Sequence, residues 1–95
     1  CIMKAVLKKQ IDDMSDDELK EVLRREYLRK LTRYRITDDF YRNKYGMDFN
    51  GFEAENIVEK HNYSFEVESD AQEWELATDG IRTMERKIKE LSGGN

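Results

Sequence analysis

Four of the five tyrosines in the chain recur at helical spacing, and one aspartate shares their side of the helix. Steps of 4 and 3 residues keep one side of an α-helix facing a partner. A tyrosine ring packs against apolar groups while its hydroxyl hydrogen-bonds, and an ionised carboxylate among such rings needs donors. The pattern therefore predicts recognition by packing and hydrogen bonding. This set is named the tyrosine seam and consists of Tyr27, Leu31, Tyr34, Asp38, Tyr41 and Tyr45.

The tyrosine seam has two interpretations, and the sequence leaves both open. Tyrosines at this spacing are most often core residues whose hydroxyls reach the edge of the core. Tyrosine is also enriched at protein interfaces, and a seam of tyrosine rather than leucine suits a dry core poorly. On the interface interpretation, the candidate partner-binding residues are the seam together with Tyr63, Phe65 and Trp74.

Residues that could support catalysis or hold a cofactor are few. His61 is the only histidine, and its position near a predicted helix end favours a surface or capping role. The chain has no glycine-rich phosphate loop, no nucleophile elbow and no pair of histidines at metal-ligand spacing. We therefore expect a protein that is not an enzyme and that carries neither a cofactor nor a metal ion.

Charge is divided unevenly along the chain. Residues 20–35 carry seven Lys or Arg against two Glu, whereas residues 53–79 carry nine acids against one Lys. One interpretation is that the helices, within one chain or between copies, complement each other along their flanks. The alternative is a nucleic-acid-associated regulator that contacts phosphates through Arg24, Arg25, Arg29 and Arg33. The sequence pI of about 5.1 argues against a dedicated nucleic-acid binder.

A second apolar seam near the carboxyl terminus matches the first and consists of Trp74, Ala77, Ile81, Met84, Ile88 and Leu91. Two such helices predict an all-α fold, an antiparallel helical hairpin with a short middle helix. Gly80 inside the last helix weakens it, which close approach of another helix would explain. A chain of 95 residues buries a small core, so we expect a homodimer.

Turn and capping signals predict the element boundaries within one helical domain, residues 1–95. Ser15 with Glu18, and Ser69 with Gln72, form capping boxes, and Gly46 is suited to end a helix. The alternation of apolar and polar residues over 63–68 predicts an extended segment. The expected order is a short segment 1–14, a long helix 15–46, a short helix 48–61, an extended linker 62–68 and a last helix 69–92.

The segment 47–58 has a competing interpretation. Asp48 is a suitable cap for a short helix, and the residues after position 52 are helix formers. Asn50-Gly51 between Phe49 and Phe52 is instead typical of a tight β-hairpin turn. We favour the helix, while the hairpin stays open.

Cysteine usage and hydropathy bear on the compartment. The single cysteine, Cys1, excludes a disulfide framework within this chain, and no apolar run approaches the roughly 18 residues of a membrane span. We expect a cytoplasmic protein without membrane contact. Met3-Lys4 looks like a natural start, so whether Cys1-Ile2 belong to the natural chain stays open.

The stretch Tyr45-Gly46-Met47-Asp48, with Phe49 and Phe52 after it, and Glu73-Trp74 in the last helix, resembles a group of small helical archaeal and bacterial proteins. That group carries a YGM-(Ser/Asp)-xxx-Phe pattern and an EW-containing last helix, and its members look like antitoxin candidates. The resemblance implies a non-enzymatic protein-interaction module that neutralises a small, basic partner protein. A purely structural helical dimer is the remaining alternative.

Overall fold

The computed structural model describes residues 2–93, which form five helices and no β-strand. They are α1 (Ile2–Asp12), α2 (Asp16–Tyr45), α3 (Phe49–Ala54), α4 (Ile57–Lys60) and α5 (Phe65–Gly93). The all-α prediction is confirmed for this part of the chain; Cys1 lies outside it. The two long helices, α2 and α5, pack along each other. They run in opposite directions, as shown by side-chain pairs between Arg24 and Ser92, Arg35 and Glu85, and Lys44 and Glu66.

Both ends of α2 form as the sequence predicts. The Ser15 hydroxyl accepts a hydrogen bond from the Glu18 backbone N–H at 3.1 Å, and the Glu18 carboxylate accepts one from the Ser15 N–H at 3.2 Å. These two bonds satisfy backbone donors that the first turn leaves free. At the other end Gly46 adopts a left-handed φ of 69°, and its N–H donates to the Arg42 carbonyl. Glycine takes that conformation without steric cost, so the helix ends there.

The segment between the long helices is helical, as favoured over the hairpin, but it is not one helix. The Asp48 carboxylate caps α3 by accepting from the Gly51 N–H at 2.8 Å. The predicted helix 48–61 is interrupted at Asn56, whose φ of 51° lies in the left-handed region. Asparagine tolerates that region better than most residues, so α3 ends and α4 begins around it.

The prediction of an extended linker over 62–68 is wrong for its last four residues, because α5 already begins at Phe65. Ser64, rather than Ser69, starts this helix. Its hydroxyl accepts from the Val67 N–H at 3.3 Å, and its carbonyl accepts from the Glu68 N–H at 3.0 Å. Only Val67 of the alternating apolar residues is buried. The alternating residues therefore do not form a strand, since Tyr63 precedes α5 while Phe65 and Val67 lie in its first turn.

Packing is concentrated at one end of the long helix pair. This aromatic end is defined by the buried cluster of Tyr41, Phe49, Phe52, Val67 and Trp74. The opposite, thin end consists of α1, residues 16–30 of α2 and residues 85–93 of α5, and none of its residues is buried. The molecule is correspondingly elongated, 55 × 33 × 19 Å, with a radius of gyration of 18.4 Å. A compact chain of this length would have a radius of about 12 Å.

Candidate protein-interaction surfaces

Trp74 is the centre of the aromatic end. It is 0% exposed, and its ring lies 5.1 to 5.8 Å, centroid to centroid, from four aromatic rings. Those rings belong to Tyr41, Tyr45, Phe49 and Phe52. α5 supplies the tryptophan, while α2 and α3 supply its neighbours. The side chains of Trp74 and Tyr41 are buried within the folded protomer, so the structure places these two predicted partner-binding residues in its core.

Asp38 has the donors that a seam carboxylate needs. The Trp74 indole Nε1–H donates to Asp38 Oδ1 at 2.8 Å, and Arg42 Nε donates to Oδ2 at 3.0 Å. The donors are an indole on α5 and an arginine one turn along α2. These two bonds orient the Trp74 indole and give both carboxylate oxygens of Asp38 a partner within the protomer.

A polar cluster on α5 surrounds the buried carboxylate of Asp70. Lys44 Nζ and the Tyr45 hydroxyl donate to Asp70 Oδ2 at 2.5 and 2.7 Å, and Lys44 also reaches Glu66 at 2.8 Å. Burial works to raise the pKa of Asp70, but hydrogen bonds from Lys44 and then Tyr45 outweigh it and hold that pKa below its ordinary value. Burial, followed by the bond to Asp70, raises the pKa of the Tyr45 hydroxyl to about 12. The cluster links α2 to α5 beside the aromatic core.

The Tyr41 hydroxyl donates to Glu73 on α5. Burial of Tyr41, together with this carboxylate acceptor, raises the pKa of its hydroxyl above the ordinary value for tyrosine. The phenol therefore stays protonated and acts as a hydrogen-bond donor. Tyr41 and Tyr45 therefore pack at the aromatic core with hydroxyls that donate to carboxylates, as the core interpretation of the seam expects.

The seam continues toward the thin end through Tyr27, Leu31 and Tyr34. Leu31 is buried, and Lys87 Nζ lies 5.3 Å from the centre of the Tyr27 ring. A Cβ atom built on Gly80 would lie 2.5 Å from the Tyr34 ring, closer than real Cβ contacts. Gly80 therefore allows close approach of α2 and α5, as its position predicted. Like Trp74, the predicted partner-binding residue Leu31 lies in the interior of the protomer, while Tyr27 and Tyr34 are half-buried against α5.

The other two predicted partner-binding aromatics have a different environment. Tyr63 and Phe65 are 60% and 85% exposed. Tyr63 lines a groove of about 230 Å³, and the apolar side chains of Ile57 and Val58 line it as well. Glu53 and Glu59 line the same groove and are exposed. This feature is named the acidic groove, and it combines an aromatic ring, apolar carbon and carboxylates.

The backbone around the acidic groove is unusual. Asn56, Asn62 and Tyr63 have φ values of 51°, 56° and 55°, the left-handed region that residues other than glycine rarely adopt. Such conformations persist only when surrounding contacts hold them, and they cluster at functional sites. The Tyr63 N–H donates to the Val58 carbonyl at 2.9 Å, which holds the tyrosine at the start of the turn into α5.

The four arginines of the nucleic-acid alternative do not share one surface. Arg24 reaches toward α5, where it donates to the Ser92 hydroxyl at 3.3 Å. Arg25, Arg29 and Arg33 follow one another at steps of four along another side of α2, where Arg29 and Arg33 line a groove together with Leu76 of α5. Arg25 Nη2 lies 3.6 Å from Glu21 Oε1, and the Arg29 guanidinium donates two hydrogen bonds of 2.8 and 2.7 Å to the Glu26 carboxylate. Local carboxylates therefore offset part of the positive charge.

The α1 helix presents a surface that sequence reasoning did not assign to binding. All of its residues are exposed. The large apolar side chains among them are Ile2, Met3, Val6, Leu7 and Ile11. The sequence signal was present, because the apolar residues recur at helical spacing. What the sequence could not show is that nothing else within residues 2–93 covers them.

Within residues 2–93, no set of three or more His, Cys, Asp or Glu side chains is placed to hold a metal ion. None of the helices in the same range has the length and apolar content needed to cross a bilayer. No protein-family model, curated protein or solved structure matches this chain. The function is therefore argued from the surfaces themselves.

Proposed function

We propose that this chain is a non-enzymatic protein-interaction module that acts in the cytoplasm and captures a small basic protein at the acidic groove, in the manner of an antitoxin. One observation carries the proposal. Tyr63, 60% exposed, lines a groove of apolar carbon and glutamates, and Phe65, 85% exposed, follows it by two residues. Exposed aromatic rings next to an apolar groove are typical of the anchors that dominate binding energy at protein interfaces.

The charge around the groove supports a basic partner. Glu53 and Glu59 line it, and Glu55, Glu66 and Glu68 are exposed nearby in the sequence. Lys60 is the only lysine or arginine between residues 53 and 79, and its Nζ lies 3.9 Å from Glu55 Oε1. A surface of one sign attracts a partner of the opposite sign and raises its association rate. The groove would thus favour lysine- or arginine-rich partners over acidic ones.

The scaffold of this proposal is an antiparallel helical hairpin that forms a homodimer. The buried aromatic cluster stabilises the packing of α2 against α5. Tyr63 and Phe65 therefore lie next to the most tightly packed part of the protomer. The thin end has too little buried apolar surface to be self-sufficient, which supports association of two copies.

The test compares two exposed aromatics on the same scaffold. Wild type, Phe65→Ala and Phe40→Ala would be immobilised and incubated with nuclease-treated lysate of the source cells, and retained proteins identified by mass spectrometry. Phe40 is the matched control because it is also largely exposed, at 59%, but lies on α2 outside the groove. We expect a small basic protein on wild type and Phe40→Ala that is lost from Phe65→Ala. Equal retention by all three proteins would contradict the exposed Tyr63–Phe65 segment beside α4 as part of the capture site.

The neutralising activity has a separate readout. The retained protein, expressed alone, should arrest growth, and co-expression of wild type or Phe40→Ala should restore it. Phe65→Ala should restore growth poorly, because an aromatic anchor is worth about 2 kcal/mol or more at an interface. Growth that is unaffected by the retained protein would remove the antitoxin part of the proposal while leaving the capture surface intact.

A further inference from the structure

The α1 helix is too short to be stable without a partner. It has 11 residues and none of them is buried. Isolated helices shorter than about 12–15 residues are marginal in water, and most helical stability in proteins comes from packing of an apolar face. Met3, Leu7 and Ile11 follow one another at steps of four, with Val6 beside them, and all four are exposed. Another surface must cover this face for α1 to persist.

We propose that the α1 helices of two copies pair antiparallel through Met3, Leu7 and Ile11. The three residues are spaced symmetrically about Leu7. In an antiparallel pair, Leu7 therefore meets Leu7 of the second copy on the twofold axis. Met3 of each copy then meets Ile11 of the other, and Val6 packs along one flank. Such a contact is isologous, since each copy offers the same surface.

The charges beside this face select the antiparallel direction. Lys4, Lys8 and Asp12 follow at steps of four along the other flank. In the antiparallel pair, Lys4 of each copy lies opposite Asp12 of the other, which gives two attractive pairs, and only the two Lys8 ammonium groups repel at the axis. In a parallel pair this flank would instead face the Val6 flank of the other copy, so neither attractive Lys4–Asp12 pair would form. Opposite charges across a helix interface set orientation in this way.

The size of the contact predicts its strength. Two helices of 11 residues bury less than the roughly 1,200–2,000 Å² of a standard stable interface. We therefore expect a dimer that dissociates in the micromolar range. This inference rests on the homodimer of the proposed function. Capture of a partner protein at the acidic groove does not depend on that dimer.

Sedimentation velocity over a concentration series tests the contact with matched variants of the whole chain. Leu7→Asp places two carboxylates at the apolar axis and should weaken dimerisation by at least about 100-fold. Ala5→Asp is the control, because it introduces the same residue and charge on the opposite, exposed side of α1. We expect Ala5→Asp to dimerise within a few-fold of wild type. Both variants should keep the Trp74 fluorescence of the wild type, because the aromatic end is remote from α1.

Charge exchange tests the direction of pairing. Lys4→Asp and Asp12→Lys should each weaken the dimer by about 10-fold, because each turns both attractive pairs into repulsive ones. The double variant should return to wild-type affinity. An acid near the start of a helix and a cation near its end favour the helix dipole, so weakening by either single change would not reflect loss of α1 itself.

Three results would overturn the inference, and they are distinguishable. If the wild type stays monomeric at all concentrations, both the α1 contact and the homodimer of the proposed function are contradicted. If Leu7→Asp dimerises like the wild type, the α1 contact is contradicted, while the homodimer of the proposed function is not. A double charge variant weaker than both single variants would contradict the antiparallel register. In the first of these cases, binding of the monomer to vesicles of anionic lipid would assign the α1 face to a lipid surface.

Discussion

At one end of the long helix pair, Trp74 is fully buried among four aromatic rings, whereas at the other end none of the 11 residues of α1 is buried. Both ends are built from amphipathic helices of one chain. The aromatic end gains three additional elements, α3, α4 and the start of α5, which close over the tryptophan. The thin end has only α2 and the last part of α5, and α1 leaves its apolar face open.

The difference shows how one small domain can separate stability from association. Large aromatic rings each bury more apolar surface than aliphatic residues, so one end can hold the fold. In our proposal, the thin end then presents its apolar side chains to a second copy. The same division places the acidic groove on the stable end, where Tyr63 and Phe65 can remain exposed without loss of the fold.

Removal of the central ring should have the largest effect. We predict that Trp74→Ala lowers the free energy of unfolding by about 3–5 kcal/mol, because it leaves a cavity and leaves Asp38 without its indole donor. Urea unfolding followed by circular dichroism measures the change. Leu76→Ala, at a residue 65% exposed on the same helix, is the control and should change stability by less than about 0.5 kcal/mol. Similar losses for both variants would contradict the aromatic end as the stable region.

The Asp70 cluster should contribute the next largest effect and give it a pH dependence. At pH 7 we predict that Asp70→Asn lowers stability by about 1–3 kcal/mol, since Lys44 and Tyr45 lose a charged acceptor. The pKa of Asp70 is lowered by folding, so its contribution is present above the ordinary value of 3.8 and is lost as pH falls below it. The difference between the variant and wild type should therefore shrink below about pH 4. A difference that is constant from pH 7 to pH 2 would argue against this linkage.

Gly80 tests the close approach of α2 and α5 between the two ends. Alanine is the better helix former by about 1 kcal/mol, but its Cβ would lie 2.5 Å from the Tyr34 ring. We predict that the clash prevails and that Gly80→Ala destabilises by about 1–2 kcal/mol. In a Tyr34→Ala background the same substitution should stabilise, because the ring is gone. A stabilising effect in both backgrounds would show that the helices can separate at little cost.

Ser15 should have the smallest effect, confined to the thin end. Ser15→Ala removes the capping bond to the Glu18 N–H and should cost about 0.5–1 kcal/mol. Hydrogen exchange in the first turns of α2 should rise, while exchange around Trp74 should not change. A rise at both ends would mean that the two regions unfold together.

Local signals in the sequence predicted much of this fold because their physical causes are local. The Ser15 capping box and Gly46 define the ends of α2 through bonds within a few residues, and the spacing of the tyrosine seam and the Trp74 seam indicated two long helices. The extended segment was wrong because Tyr63, Phe65 and Val67 alternate in hydropathy at the point where a helix starts. Short alternating runs do not distinguish a strand from one helical turn.

The candidate site was less predictable, since burial depends on the tertiary partner. Tyr41 and Tyr63 look alike in sequence, yet one is 5% exposed and the other 60%. The spacing of Tyr41 placed it on the helix face that α5 covers, whereas Tyr63 follows a left-handed turn that no periodicity reveals. Apolar side chains of α1 were equally readable as a helix face, but only the packed structure shows that this face is open.

Hydrogen exchange of the wild type at two protein concentrations tests the division between the two ends most directly. One concentration would lie below and one above the dissociation constant measured by sedimentation. We predict that amides around Trp74 are protected at both concentrations, whereas amides of α1 gain protection only at the higher one. Equal exchange of α1 at both concentrations, or weak protection around Trp74 at either, would contradict a stable aromatic end with an α1 face that a second copy covers.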